Sequence, residues 1–141
     1  MANLTTAIVL ILVKDDKVLF LKRTHGWGAG TYTLPGGNVE LNESLTQACI
    51  REMFEELGIE LEHEKLSFVN LSHIKSTSSE YLLVTFVATI WKGEPLNKEP
   101  EKHSEMVWLD INNLPSNMNP YALEMLQIYK DKKTYTEFGW N

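Results

Sequence analysis

Glu52, Glu55 and Glu56 recur at helical spacing within Arg51-Glu52-Met53-Phe54-Glu55-Glu56-Leu57-Gly58. At about 100° per residue, Glu55 and Glu56 fall within about 60° on either side of Glu52. Three carboxylates then share one stripe, and Ala48, one turn earlier, leaves that face uncluttered. Ile50, Met53, Phe54 and Leu57 take the opposite arc, where they can pack on a sheet. Like charges at this spacing repel by roughly a few tenths of a kcal/mol per pair. Glu55 and Glu56 also lie near the helix C-terminus, where the macrodipole disfavours negative charge. A hard divalent cation offsets both penalties, and oxygen-only ligands suit magnesium or manganese rather than zinc. The simpler alternative is a solvated acidic face built from a good helix former.

The elements that position this stripe are written around it. Ser44, with Gln47 three residues on, has the form of a capping box, and Gly58 stops the helix, so the spacing predicts a helix over 44–57. Upstream, residues 9–13 follow Thr5-Thr6-Ala7 and read as a fully buried strand; 14–17 are a polar turn and 18–21 the returning strand. Residues 25–30 form a glycine-rich loop, 32–34 a short strand, and Pro35-Gly36-Gly37 is expected to break regular structure. Downstream, residues 66–74 and 81–91 read as a long hairpin joined by a polar 75–80. A charged loop with two prolines covers 92–104, residues 106–109 form a last short strand, and Pro120 opens a second helix ending near Lys130. The class is α/β (α+β): a mixed sheet between helices, in one domain over residues 1–141, with no internal repeat.

A chain of 141 residues buries enough surface to fold without staples, and its single cysteine, Cys49, excludes an internal disulfide. Nineteen acidic residues against 13 basic ones give a net charge of −6, and no basic stripe is present to hold a nucleic-acid polymer. The apolar run 7–13 is too short to span a bilayer, and Met1–Thr6 has no basic flank, so no membrane association and a cytoplasmic location are expected. An anionic substrate would need a mediating cation.

Gly37, five residues, Glu43, seven residues, then Arg51 through Ile59 match every fixed position of the Nudix hydrolase signature, with Met53 and Ile59 where that family has bulky aliphatics. The chain resembles this family, with its box at residues 37–59. The resemblance implies a catalytic loop–helix–loop that grips divalent cations, usually Mg2+ with Mn2+ as a substitute, against a pyrophosphate. It assigns metal binding to Glu52, Glu55, Glu56 and the Gly36 carbonyl, and a structural pairing within the catalytic set to Arg51 and Glu43. Gly37, counted with the substrate-binding positions, and Gly58 read as turn glycines. Arg23 matches a phosphate contact in several members, or is a surface cation. Trp27, in His25-Gly26-Trp27-Gly28, could stack on a base or pack its own loop. Glu99 best matches a further metal-linked carboxylate, with Glu101 and Glu105 as alternatives. Asn119 opens the last helix as a base contact or as a simple cap. The four histidines show no ligand spacing and are assigned to no metal.

The short length and the two flanking segments lean to the mutator-type branch, which converts nucleoside triphosphates to monophosphate and pyrophosphate. The runner-up is ADP-ribose or nucleotide-sugar hydrolysis, whose members usually carry an extra N-terminal segment, whereas here the first strand begins almost at once. A non-catalytic nucleotide-binding module is the third alternative. The expected partner is a small nucleotide, and the expected state a monomer or homodimer.

Overall fold

The ten residues Thr-Thr-Ala-Ile-Val-Leu-Ile-Leu-Val-Lys contain no glycine or proline and are dominated by β-branched and aliphatic side chains, the composition of a strand buried on both faces. In the computed structural model, which describes residues 4–141, they form the central strand; the first three residues of the Met1–Thr6 flank lie outside the described residues. The elements run β1 (Thr5–Lys14), β2 (Lys17–Arg23), β3 (Tyr32–Thr33), β4 (Gly36–Asn38), α1 (Leu45–Leu57), β5 (Ser67–Lys75), β6 (Glu80–Ala88), β7 (His103–Asp110), α2 (Pro120–Asp131) and β8 (Tyr135–Phe138). A single 3-10 turn, His63–Lys65, precedes β5.

β1 pairs in parallel with β6 from Thr5↔Tyr81 to Leu12↔Ala88, and its other edge takes β4 antiparallel. β5 returns antiparallel to β6, and β8 adds in parallel outside β5. At its far end β1 turns through Asp15 and Asp16 into β2, which carries β3 on one side and β7 on the other. Side chains alternate across β1 as period two requires. Ile8, Leu10 and Leu12 share a core with Cys49, Met53 and Leu57 of α1, while Ile11 joins Met125, Leu126 and Ile128 of α2. The helices therefore cover opposite faces of a mixed sheet. No helix among the described residues is long and apolar enough to cross a membrane.

Three expectations change. Pro35-Gly36-Gly37 does not interrupt the sheet: Gly36–Asn38 is a strand paired with Ala7, Ile8 and Val9 of β1. A Cβ on Gly36 would collide with the Ile8 carbonyl oxygen, so the glycine permits close strand approach instead of a break. Residues 106–109 belong to a longer strand beginning at His103, and it is not the last, because β8 follows α2. The third concerns α1. Its buried residues are Ala48, Cys49, Met53, Glu56 and Leu57, whereas Phe54 is 52% exposed and lies under the Lys98 ammonium. On the helical wheel the buried arc is turned roughly 60–90° toward the acidic stripe from the expected arc. Glu56 consequently lies inside the packed face.

This packing predicts that Met53→Ala costs about 2–5 kcal/mol in urea denaturation, the usual range for a fully buried Met. Phe54→Ala should cost less than about 1 kcal/mol, as for an exposed position. Equal losses at the two sites would contradict the observed rotation of α1.

Candidate active site

Ser44 accepts a hydrogen bond from the Gln47 N–H at 3.0 Å, and the Gln47 side chain accepts from the Ser44 N–H at 2.8 Å. Gly58 ends the helix at φ 71°, a left-handed conformation that glycine adopts without strain. With both ends fixed, α1 holds Glu56 against β4, where the Gly36 N–H donates to Glu56 Oε1 at 2.8 Å. Glu56 is only 5% exposed. Burial pushes its carboxyl up to about 8, the Gly36 hydrogen bond opposes that shift, and the nearby charges of Glu52 and Glu99 add to it.

Arg51 organises the rest of the helix face. Its Nε and Nη2 grip the Glu43 carboxylate at 2.6 and 3.0 Å, and Nη2 also donates to the Asn38 carbonyl at 3.0 Å. Nη1 reaches Glu52 Oε1 at 2.9 Å and Glu55 Oε2 at 3.2 Å. One guanidinium thus ties the loop after β4 to the helix and neutralises part of the stripe, a task its rigid fork suits. The Arg51 contact holds the Glu43 carboxyl below the ordinary range, whereas burial raises Glu52 in spite of Arg51. Gly37 has no positive φ, and a Cβ there would run into the Glu52 carboxylate. It is a close-approach glycine, not the turn glycine expected.

The facing wall comes from β2 and the start of β7. Arg23 pairs with His103 across these strands, beside a bulge at Lys22/Arg23 that re-aims the chain. The N–H groups of Lys102 and His103 both donate to the Glu99 carbonyl, at 2.9 and 3.0 Å, closing a turn that brings Glu99 and His103 to one side. Glu56, Glu99 and His103 each offer a ligand atom, all within 4.8 Å of one another. His103 Nε2 is 3.8 Å from Glu56 Oε2, and burial lowers the histidine pKa, favouring neutral imidazole. Between the walls lies a cleft of about 460 Å³, lined among others by Arg23, Glu52, Glu56, Glu99, Lys102 and His103. Among the described residues, Arg23 Nε and His103 Nδ1 are buried without a hydrogen-bond partner. The carboxylate oxygens of Glu56, Glu52 and Glu99 are a donor set that fits a hard divalent cation, with the neutral His103 imidazole beside them and outside that set.

The structure brings Glu43, Arg51, Glu52, Glu56, Gly36, Gly37, Arg23 and Glu99 to the cleft or its immediate support. Glu55 stands at the rim, half exposed and held by Arg51. Of the three alternatives, Glu99 enters the cleft; Glu105 instead pairs with Lys22 at 3.3 Å and accepts from the Tyr32 hydroxyl, and Glu101 contributes its carbonyl to Thr24. Asn119 is buried as the cap of α2, its Oδ1 accepting from the Tyr121 N–H at 2.9 Å. Trp27 stands 64% exposed, 5.5 Å from the Tyr121 ring. Sequence reasoning missed Lys102 and His103. The available signal was the Glu99-Pro100-Glu101-Lys102-His103 run, whose i, i+4 acid and imidazole meet only when a turn closes on them.

Glu56 makes stability depend on pH. Its folded pKa of about 8 lies above the ordinary value of 4.5, so its contribution is complete below 4.5 and is lost as pH rises through about 8. Glu52 acts with the same sign; His103, lowered from 6.5, acts oppositely, losing stability as pH falls below 6.5. Thermal melts in chelator between pH 5 and 8 should show wild type losing stability toward pH 8 relative to Glu56→Gln. Added divalent cation should restore wild type at pH 8 and leave Glu56→Gln little changed. Parallel melting curves would contradict the buried, proton-binding Glu56.

Residues 2–131 match the NUDIX domain family. The ADP-ribose pyrophosphatase of Methanocaldococcus jannaschii is 32% identical over 121 residues, covering 86% of this chain and 68% of that protein. The 8-oxo-dGTP diphosphatase of Escherichia coli is 27% identical over 131 residues, covering 91% of this chain and 100% of the relative. Among solved structures, the MutT NUDIX hydrolase from Burkholderia pseudomallei superposes with a TM-score of 0.82 at 28% identity, covering 89% of this chain and 98% of that one. With the signature, the fold and the carboxylate-lined cleft in agreement, the chain belongs to the Nudix hydrolases, enzymes that cleave acid anhydrides and generally require a divalent metal.

Proposed function

We propose that this chain, acting as a single domain, hydrolyses a nucleoside triphosphate to the monophosphate and pyrophosphate with Mg2+, for which Mn2+ substitutes. The observation that carries this reading is the convergence of Glu56, Glu99 and His103 within 4.8 Å on a cleft that also holds Arg23 and Lys102. Glu52, Glu55, Glu56 and the Gly36 carbonyl would hold the cation, with Glu99 facing them from the opposite wall. When bound, the cation neutralises phosphate charge and lowers the pKa of a water molecule. Arg23 and Lys102 take the phosphate oxygens that the net charge of −6 would otherwise repel. Glu99, less buried than Glu56, accepts the proton released as water attacks. Arg51 and Glu43 touch no reacting atom; they keep Glu52 and Glu55 in position.

A second reading, hydrolysis of ADP-ribose, is supported by the 32% identity with the archaeal relative of that name. Ion-exchange analysis of products, with magnesium and again with chelator, distinguishes the two. Monophosphate plus pyrophosphate from at least one nucleoside triphosphate, abolished by chelation, is the expected result. Cleavage confined to ADP-ribose or sugar nucleotides favours the second reading, and binding without turnover favours a non-catalytic module.

Glu56→Gln should lower kcat by roughly 10²- to 10⁴-fold, the span of general-base and metal contributions. Arg51→Ala should instead raise the magnesium concentration for half-maximal rate by roughly 10- to 100-fold, as loss of a ligand-orienting residue does, and lower Tm. Arg51→Lys should recover little, because an ammonium cannot bridge Glu43, Asn38 and Glu52 together. A magnesium titration unchanged in Arg51→Ala would refute the positioning role.

A further inference from the structure

Glu99 is carried by residues 89–102, a connection between β6 and β7 that contains no helix or strand. Connections of this kind move unless their backbone groups are tied down, yet Glu99 has to stay within reach of the buried Glu56. The first attachment is to α1. Glu60 and Lys92 exchange backbone hydrogen bonds at 2.9 Å in both directions. Further along, the Leu96 N–H donates to the Leu57 carbonyl at 2.9 Å and the Lys98 N–H to the Glu56 carbonyl at 3.0 Å. These are carbonyls that a helix C-terminus leaves without an internal partner. The second attachment is at β7, where the Lys102 carbonyl accepts from the Thr24 N–H at 3.0 Å and His103 pairs with Arg23. Between the two attachments Glu99, Pro100, Glu101 and Lys102 form an arch.

The Asn97 side chain ties the feet of this arch together. Its Nδ2 donates to the His103 carbonyl at 2.8 Å, and its Oδ1 accepts from the Glu99 N–H at 3.3 Å. An N–H can only donate and a carbonyl can only accept, so the bridging group must present one of each. An amide does. A carboxylate lacks the donor, an ammonium lacks the acceptor, and an aliphatic side chain lacks both. Pro100, Glu101 and Lys102 are exposed, so closing the arch buries little apolar surface and adds little to the core. What the bridge does fix is the placement of Glu99 and His103, the two residues that meet Glu56 within 4.8 Å.

We infer that Asn97 is a positioning residue, whose amide fixes the backbone from which the Glu99 carboxylate reaches the cation held by Glu56. The inference rests on the reading that Glu99 faces that cation. Asn97 is not among the residues lining the cleft, so its effect passes through the turn it closes.

Mn2+ binding without nucleotide tests this, read from the electron paramagnetic resonance of the free ion at a temperature where circular dichroism shows each variant folded. Asn97→Leu should weaken Mn2+ binding roughly 10- to 100-fold, the effect of removing a residue that orients a metal ligand. Asn97→Ser, whose hydroxyl can accept from the Glu99 N–H in the same i, i+2 turn, should fall between Asn97→Leu and wild type. Glu99→Gln should also weaken binding, and adding Asn97→Leu to it should change the affinity by no more than about twofold, because the residue through which Asn97 acts is already disabled. Unchanged Mn2+ affinity in Asn97→Leu with only a lowered Tm would overturn the positioning role and leave Asn97 as a loop staple. Additive losses in the double variant would overturn it as well, since Asn97 would then act independently of Glu99. Normal Mn2+ affinity in Glu99→Gln would instead refute the reading of Glu99, and the inference with it.

Discussion

A carboxylate taken out of water must find donors or a cation, because an isolated buried charge costs several kcal/mol even after relaxation. Glu56 meets one N–H, from Gly36, and a neutral imidazole at 3.8 Å; neither supplies a full positive charge. Without metal it is held as the acid over much of the neutral range. Much of the site is arranged about that one buried group. Gly36 lacks a Cβ so that β4 can lie on β1 and aim its N–H at the helix. The packed face of α1 is rotated so that Glu56 lies beside Cys49 and Met53 and away from bulk solvent.

The remaining negative charge is divided between two supports. On the helix side Arg51 meets Glu43, Glu52 and Glu55 with one planar fork, which relieves the like-charge repulsion of the stripe. On the β7 side Lys102 holds Glu99 at 3.2 Å. Glu56 lies between them without a cation of its own among the described residues, and this uneven distribution marks where a metal is wanted. The site is thus short of positive charge, built by packing and bounded by the Arg51 cluster on one side and the Lys102–Glu99 pair on the other.

Local chemistry was legible in the sequence and tertiary chemistry was not. The capping box at Ser44 and Gln47, the stop at Gly58 and the apolar run of β1 depend on neighbours within four residues or on composition alone, and all are present, although Val9 and Val13 of the run expected to be fully buried are only partly so. The adjacent glycines 36 and 37 read as a break because their actual reasons are distant in the chain: the Ile8 carbonyl for one and the Glu52 carboxylate for the other. β8 is four residues whose register is set by β5, more than sixty residues earlier, so no local pattern announces it. His103 has no helical partner; its place beside Glu56 and Glu99 follows from a turn and a bulged strand pair. The fold class and the carboxylate stripe came from periodicity and motif, whereas the burial that separates Glu56 from Glu55 required the packed sheet.

Anomalous scattering from crystals soaked in Mn2+ tests the central claim most directly. The account predicts a peak at about 2.1 Å from a carboxylate oxygen of Glu56, the distance of an octahedral hard-cation site, with an oxygen of Glu52 or Glu99 in the same shell. A peak confined to the exposed Glu55 carboxylate, or none within the cleft at saturating Mn2+, would contradict it.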